Sequence, residues 1–309
     1  MYLPSSQPGT DTMAIILDDP DLEQVEHYRD DSHLRGELNA LTEQTYGFDF
    51  EAWYVAGFWE DNYQPCSLVR HGRMLANVSV SPLAFIHEGQ YLHCAQIGTA
   101  MTRPEARGRG YSRHLMECLV QRWASPCDLL FLFANSTVLD FYPKFGFRRV
   151  VEQEHYLKWF GQRCVSSFHP VDLDDGGQLQ PFMAVVAGSC PQARLSLMPN
   201  VALMMFYCDG PYREALFYSP RHEAYVVVEH EGERMVLVDV FCARVVELHE
   251  VLPELVRPET REVVLGFTPL RDEGFATRVV DNDDALFVWG ASETPLDQAP
   301  MRFPMLSHT

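Results

Sequence analysis

The 309-residue sequence predicts an α+β protein in two parts, each a mixed, mostly antiparallel sheet flanked by helices. Three observations lead there. Short apolar runs between residues 66 and 101 are separated by turn-forming segments, the pattern of successive hairpins. From Tyr111 onward, helical and strand-like segments alternate. After about residue 162 a similar order of elements starts again, which divides the chain into 1–160 and 161–309. A hydrophobic content of 47% over this length supplies material for two cores.

Residues 1–20 carry Pro, Ser, Gly and Asp around one short apolar run and read as a loosely held arm. Residues 21–46 read as a helix, with Leu34, Leu38 and Leu41 at helical spacing. An aromatic cluster follows from Tyr46 to Tyr63, either core or the wall of a substrate pocket. Cys66–Arg70 and Met74–Val80 form a hairpin around His71-Gly72-Arg73. Ser81–Ile86 and Leu92–Met101 form another around His87-Glu88-Gly89-Gln90. Tyr111–Ala124 is a helix that turns Leu115, Met116 and Leu119 toward a sheet, and Pro126 ends it. Leu129–Phe133 is a continuous apolar strand, as burial on both faces requires. A short helix at Val138–Pro143 and one or two strands in Phe147–Trp159 close the first part.

In the second part, Val171–Gly188 contains a helix. Glu214–Tyr218, Ala224–His230 and Met235–Phe241 are strands, Val245–Val256 is an amphipathic helix, and Glu262–Phe267 and Ala285–Trp289 are strands. The tail Met301–Thr309 is apolar and contains Pro304, so it has material to dock, either on its own domain or near the aromatic segment Tyr46–Tyr63.

The net charge of −19 argues against general binding to nucleic acid or anionic membranes. Charge is unevenly placed. Residues 1–61 hold 14 Asp/Glu against two Arg and no Lys, whereas residues 62–160 hold seven against 11 Arg/Lys. The acidic stretch either solvates the surface or attracts a cationic substrate. Eight cysteines lack paired metal-ligand spacing, so no metal is expected. Neither a signal-peptide pattern nor an apolar run of membrane-spanning length is present, and a cytoplasmic location is expected.

The most informative segment is Arg107-Gly108-Arg109-Gly110-Tyr111-Ser112, which runs from a strand into a helix. A glycine turn at a helix start is an anion site, because free backbone N–H groups point outward and the helix dipole favours negative charge. Gly108 and Gly110 permit close approach, and Arg107 and Arg109 add positive charge. A pyrophosphate suits such a turn.

Arg107, Gly110 and Ser112, followed about thirty residues later by Tyr142, Gly146 and Phe147, resemble the two signature elements of the GNAT superfamily of acyl-CoA N-acyltransferases. These elements are Arg/Gln-x-x-Gly-x-Gly/Ala and Tyr-x-x-x-Gly-Phe. Ser112 stands where Gly or Ala is usual, and a small side chain is kept. The resemblance covers roughly residues 35–160, with clear motifs from 92 to 147.

It implies an N-acetyltransferase that moves an acetyl group from acetyl-CoA to a primary amine, small or cationic, on a small molecule or a peptide. Arg107, Gly108, Arg109, Gly110, Tyr111 and Ser112 would hold the pyrophosphate, and Ala100, Met101 and Thr102 the pantetheine arm. The thioester oxygen would meet a backbone N–H near Ile97–Thr99. Tyr142 would protonate the departing thiolate, or else be an ordinary core tyrosine. Asn135 would bond the pantetheine amide or cap the following turn. No general base is assigned: His93 and Gln96 on the fourth strand and Glu60 and Asp61 before it are the polar choices.

The second part reads as a degenerate GNAT-like domain, because Phe241-Cys-Ala-Arg244 has no glycine where a phosphate loop should lie. Two other readings remain, a non-catalytic acyl-CoA-binding or sensing protein and a structural module. A homo-oligomer is compatible with all of them.

Overall fold

A computed structural model describes residues 19–281, 283–290 and 293–308. The arm read at 1–20 lies, up to residue 18, outside the described residues, as does Thr309. The elements in order are β1 (Leu22–Glu26), α1 (Ser32–Tyr46), α2 (Glu51–Val55), β2 (Gln64–Arg70), β3 (Arg73–His87), β4 (Gln90–Thr102), α3 (Tyr111–Trp123), β5 (Leu129–Asn135), β6 (Phe147–Val150) and β7 (Gln153–Lys158). They continue with β8 (His169–Pro170), α4 (Gly176–Ala187), β9 (Leu195–Leu197), α5 (Val201–Cys208), β10 (Leu216–Ser219), β11 (Ala224–Glu231) and β12 (Arg234–Phe241). The last are α6 (Leu248–Leu255), β13 (Glu262–Leu265), β14 (Ala276–Val279), β15 (Asp284–Trp289) and α7 (Pro295–Gln298). Among the described residues the strands form two mixed, mostly antiparallel sheets, of eight and seven strands, as the α+β class requires. No helix among them is long and apolar enough to cross a membrane.

The chain forms two compact units, residues 1–82 with 95–130, and residues 83–94 with 131–309. The first contains β1, β2, β3 as far as Pro82, β4 from Ala95, and the helices α1 to α3. Its core includes Leu38 and Leu41 from α1, Leu68, Met74, Ala76 and Val78 from the sheet, and Leu115 and Met116 from α3. Each large apolar side chain so buried contributes about 1.5–3 kcal/mol. In the second unit β15 lies between β5 and β6, antiparallel to both. The other sheet of that unit has the order β14-β7-β13-β12-β11-β10-β8. There β12 and β13 pair in parallel, with α6 between them in sequence.

The division at residue 160 expected from sequence is therefore not the one the strands follow. β7 pairs with β13 and β14, and β15 completes the sheet that holds β5. The reason is physical: the backbone N–H and C=O groups on each edge of buried β5 need a hydrogen-bonding partner. The buried run Ala285-Leu286-Phe287-Val288 supplies one.

Other expectations shift locally. The helix read at 21–46 begins only at Ser32, where Asp31 caps it by accepting from the amides of His33 and Leu34. Residues 22–26 instead pair with Cys66–Arg70. The two strands read at 74–80 and 81–86 are one, because no turn residue separates Val80 from Ser81. The helix read at 138–143 is a 3₁₀ turn over Tyr142–Phe145. Strands β9 and β14 and helix α5 were not read from sequence. α5 (VALMMFYC) is apolar all round, so it carries no helical periodicity.

The tail docks within the second unit. Phe303 sits against Phe85, Phe131 and Phe133 at ring separations of 5.0, 4.4 and 5.8 Å. Its amide donates to Glu152 Oε1 at 2.8 Å, and the Met305 amide donates to the Gly266 carbonyl at 3.0 Å. The His308 ring stacks on Phe133 at 3.6 Å, and its carbonyl accepts from the Tyr207 hydroxyl. The tail thus joins strands from both halves of the sequence. The aromatic segment Tyr46–Tyr63, its other expected partner, belongs to the first unit.

Burial holds the His308 imidazole down at about 3. Its value in the unfolded chain is near 6.5, so unfolding takes up a proton below that pH. The stabilisation is full above about pH 6.5 and is lost as pH falls toward 3. His308→Gln is expected to destabilise the protein at pH 7.5, and the gap to the parent should shrink by about 2 kcal/mol at pH 5. Denaturant unfolding of both proteins at the two pH values measures this; an unchanged gap would contradict an imidazole held neutral by the fold.

Candidate functional site

The first unit places the glycine turn between the end of β4 and the start of α3. Strand β4 ends at Thr102, and a 3₁₀ turn over Pro104–Ala106 leads into the loop. Gly108 and Gly110 adopt φ of +75° and +81°, left-handed values that a side chain would strain. Gly110 is the N-cap of α3 and, being glycine, offers no side chain to its first amides. The N–H groups of the first turn of α3 are therefore uncapped, and this 13-residue helix carries its dipole to that end.

Arg107 and Arg109 are exposed beside these amides. The one acid in the loop, Glu105, is neutralised by Arg73 at 2.6 Å. Ser112, the departure from the family pattern, bonds its hydroxyl to that of Thr102, tying the helix start to the strand end. Ala100 and Thr102 are half-buried, whereas Met101 and Tyr111 are buried and serve packing. Arg103, which the sequence reading passed over, anchors the loop from inside. Its guanidinium meets Glu37 at 3.1 Å, the Met74 carbonyl at 2.6 Å and Gln44 at 3.3 Å.

A second feature of the first unit lies one turn of strand earlier. Thr99 in β4 has φ of +42°, a left-handed conformation that costs a β-branched residue about 1–3 kcal/mol. Its hydroxyl closes a three-membered ring with Tyr63 and Ser79, with O···O distances of 2.7, 2.8 and 2.7 Å. The Asn77 amide donates to Ser79 Oγ at 2.9 Å and to the Thr99 carbonyl at 3.0 Å. Asn77 Oδ1 accepts from Ser67, which bonds the Tyr28 hydroxyl at 2.7 Å. Tyr28, Tyr63, Ser67, Asn77 and Ser79 are all buried, and burial pushes the Tyr28 and Tyr63 phenols upward. Thr99 is half-buried, so it is the member that reaches the surface.

The aromatic segment is both core and surface. Phe50, Trp59 and Tyr63 are buried, with Phe50 and Tyr63 rings 4.7 Å apart. Tyr46 and Phe48 are exposed and stacked at 6.1 Å, with the Tyr46 hydroxyl 3.5 Å from the Ala100 carbonyl.

Asn135 and Tyr142 belong to the second unit. Asn135 Oδ1 accepts from the amide and hydroxyl of Thr137, forming a turn at the end of β5. Tyr142 is buried, with Phe141, Phe147 and Phe287 rings 5.3–6.4 Å away. Its 3₁₀ turn ends at Gly146, φ +88°, whose missing side chain leaves room for Trp289 Nε1. That nitrogen donates to the Phe145 carbonyl at 3.0 Å. The turn bearing Tyr142 is thus braced by β15, a partner 144 residues away in sequence. Among the candidates for a base, Asp61 is exposed and pairs with Arg29 at 3.3 Å, Glu60 and His93 are exposed, and Gln96 is buried.

Asn77→Ala should lower the unfolding free energy by about 2–3 kcal/mol, because it removes one hydrogen-bond partner each from Ser67, Ser79 and the Thr99 carbonyl in a buried site. Tyr28→Phe, at the far end of the network, should cost about 1 kcal/mol. Urea unfolding of the two variants tests this ranking; a neutral Asn77→Ala would show that the network does not restrain Thr99.

Comparison with known proteins bears on these features. Residues 37–150 match the family described as an acetyltransferase (GNAT) domain. Among solved structures, the chain is similar to a conserved Enterococcus faecalis protein described as a probable N-acyltransferase. The two are 13% identical with a TM-score of 0.59, covering 86% of this chain and 72% of that one. It is also similar to a GCN5-related N-acetyltransferase from Kribbella flavida, at 14% identity and TM-score 0.52, over 90% of this chain and 72% of that one. A GCN5-related N-acetyltransferase from Anabaena variabilis is 14% identical with a TM-score of 0.52, over 86% and 72% of the two chains. At these identities the likeness is one of fold, and it extends over both halves. No curated protein matches in sequence.

Proposed function

We propose that this chain, whose residues 37–150 match the acetyltransferase (GNAT) domain family, is an acyltransferase that transfers an acetyl group from acetyl-CoA to a primary amine. The observation that carries the donor side is the uncapped start of α3 behind two left-handed glycines, with Arg107 and Arg109 beside it and its one acid paired off. Free amides, a helix dipole and two guanidinium groups are the complement of a pyrophosphate. Ala100, Met101 and Thr102 lead into this loop and are assigned to the pantetheine arm by the family arrangement.

In the proposed reaction the neutral amine attacks the thioester carbonyl carbon, the C–N bond forms and the C–S bond breaks. The amine's proton passes to water, the thiolate takes a proton from the Tyr142 hydroxyl, and the proton released to solvent restores that hydroxyl. A small or cationic amine is favoured on the acceptor side. Residues 43–61 hold five acids and no Lys or Arg, and the exposed rings of Tyr46 and Phe48 can face a cation. A second reading, an acyl-CoA-binding sensor without turnover, is supported by the absence of a carboxylate from β4.

Gly110→Asp places a side chain and a negative charge where the pyrophosphate would sit. Acetyl-CoA affinity measured by calorimetry should fall at least tenfold, and an unchanged affinity would remove the donor assignment. Tyr142→Phe should retain acetyl-CoA affinity while turnover drops by about 100-fold, read as thiol release with a panel of polyamines, amino acids and peptides. Thiol release that is equal in variant and parent would leave Tyr142 a packing residue. No release with any acceptor, with acetyl-CoA still bound, would favour the sensor.

A further inference from the structure

The second unit contains a cleft that the proposed acetyl transfer does not use. In β12 the register slips between Val227–Asp239 and Val228–Leu237, so Val238 is an extra, bulged residue. Parallel pairing with β13 runs from Arg234 to Leu237 and continues only to the Gly266 amide, which donates to the Leu237 carbonyl at 2.8 Å. Gly266 lies so close to the bulge that a Cβ there would fall 2.4 Å from the Val238 carbonyl. Beyond this point a cavity of about 50 Å³ opens, lined by Asp239, Val240, Phe241, Phe267, Met198 and Pro304 among others.

We propose that this cleft binds a short primary alkylammonium ion, with Asp239 as its counter-ion. The Asp239 carboxylate accepts one hydrogen bond, from the adjacent Val240 amide at 2.7 Å, and makes no ion pair among the described residues. Several other carboxylates withdrawn from solvent in this unit are matched by cations, whereas buried Glu152, like Asp239, makes no ion pair among the described residues and accepts from a backbone amide. Glu154 meets Arg278 and Arg302, Glu254 meets Arg221 and His222, and Glu262 meets Lys158 and Arg278. A half-buried carboxylate without an ion pair, beside a largely apolar wall, is costly, and a cation brought by a ligand offsets that cost. Burial pushes the Asp239 carboxyl up to about 7, consistent with a missing partner.

The other polar groups in the wall are already engaged. Gln192 donates to the Arg244 carbonyl and accepts from the Val246 amide, Asn200 accepts from the Leu203 amide, and Ser196 bonds Ala193. Asp239 is therefore the group with acceptor capacity left for a ligand. The remaining wall is largely apolar and suits a hydrocarbon arm. The cavity admits a chain of about three or four heavy atoms, taking about 10–15 Å³ for each water-sized occupant. A pyrophosphate is disfavoured here, because Phe241-Cys-Ala-Arg244 has no glycine and Asp239 would repel it.

The test uses the full chain at pH 8 and fixed ionic strength, with n-propylammonium, n-propanol and propionate as probes in calorimetry or ligand-observed NMR. Saturable propylammonium binding in the millimolar range is expected, with neither the alcohol nor the acid competing. Asp239→Asn, nearly isosteric, should weaken it at least tenfold. Met198→Trp, which fills the cavity from a half-buried wall position and spares Asp239, should abolish it. Binding that survives both substitutions puts the amine elsewhere, including the acceptor side proposed above, and overturns the assignment. So do propanol binding as tightly as the amine, and no saturable binding at all. Acetyl-CoA affinity, measured in parallel, should be the same in all three proteins, so the outcome is separate from that of the proposed function.

Discussion

A threonine with left-handed backbone angles inside a strand does not persist unless its surroundings hold it there, and in the first unit five buried polar side chains do so. Tyr63 and Ser79 close a hydroxyl ring on Thr99, and Asn77 holds both its carbonyl and the ring. Behind Asn77 stand Ser67 and Tyr28, each fully enclosed by the sheet and helices of the unit. Such a network is worth keeping only if it is completely satisfied, since each unpaired member would cost more than a packed apolar residue. Strand β4 thus carries a left-handed residue at Thr99 and ends three residues later, at Thr102, before the loop that opens α3.

The loop depends in turn on charges being disposed of elsewhere. Arg103 turns inward, where Glu37, Gln44 and the Met74 carbonyl satisfy it, so the base of the loop is fixed by α1 and β3. Glu105 is drawn to Arg73. What remains facing outward is positive: Arg107, Arg109 and the uncapped amides of α3. Within an acidic protein this is a small region of opposite sign, and it is produced by the pairing of a few residues more than by overall composition.

The second unit answers a different constraint. Its central strands are apolar on both faces and would be left with open edges if the chain were folded in sequence order. β15 and β7 supply the missing partners from the wrong side of the apparent boundary at residue 160. The same exchange braces the turn that carries Tyr142, through Trp289 and the glycine at 146. The β12–α6–β13 segment has a strand–helix–parallel-strand arrangement, with no glycine between Phe241 and Arg244. The tail residue Met305 lies against β13's continuation at Gly266.

Sequence by itself determined the α+β class, most strands and the α3 helix with its glycine turn, because each of these is written in local spacing. Alternation marks a strand edge, glycines mark left-handed turns, and Arg107, Gly110 and Ser112 stand within six residues of one another. Tertiary structure decided what depends on long separations. Residues 22–26 became a strand because β2 was there to pair with them, although their neighbours continue a helical pattern. The hydroxyl ring joins positions 63, 79 and 99, each an ordinary polar residue when read alone. Asn135 proved to close a turn on Thr137, and the role of Arg103 appears only once Glu37 and Gln44 are brought beside it. The interleaving of β7 and β15 was equally hidden, since a strand's hydrophobic pattern shows which face is buried and says nothing about which edge it will join.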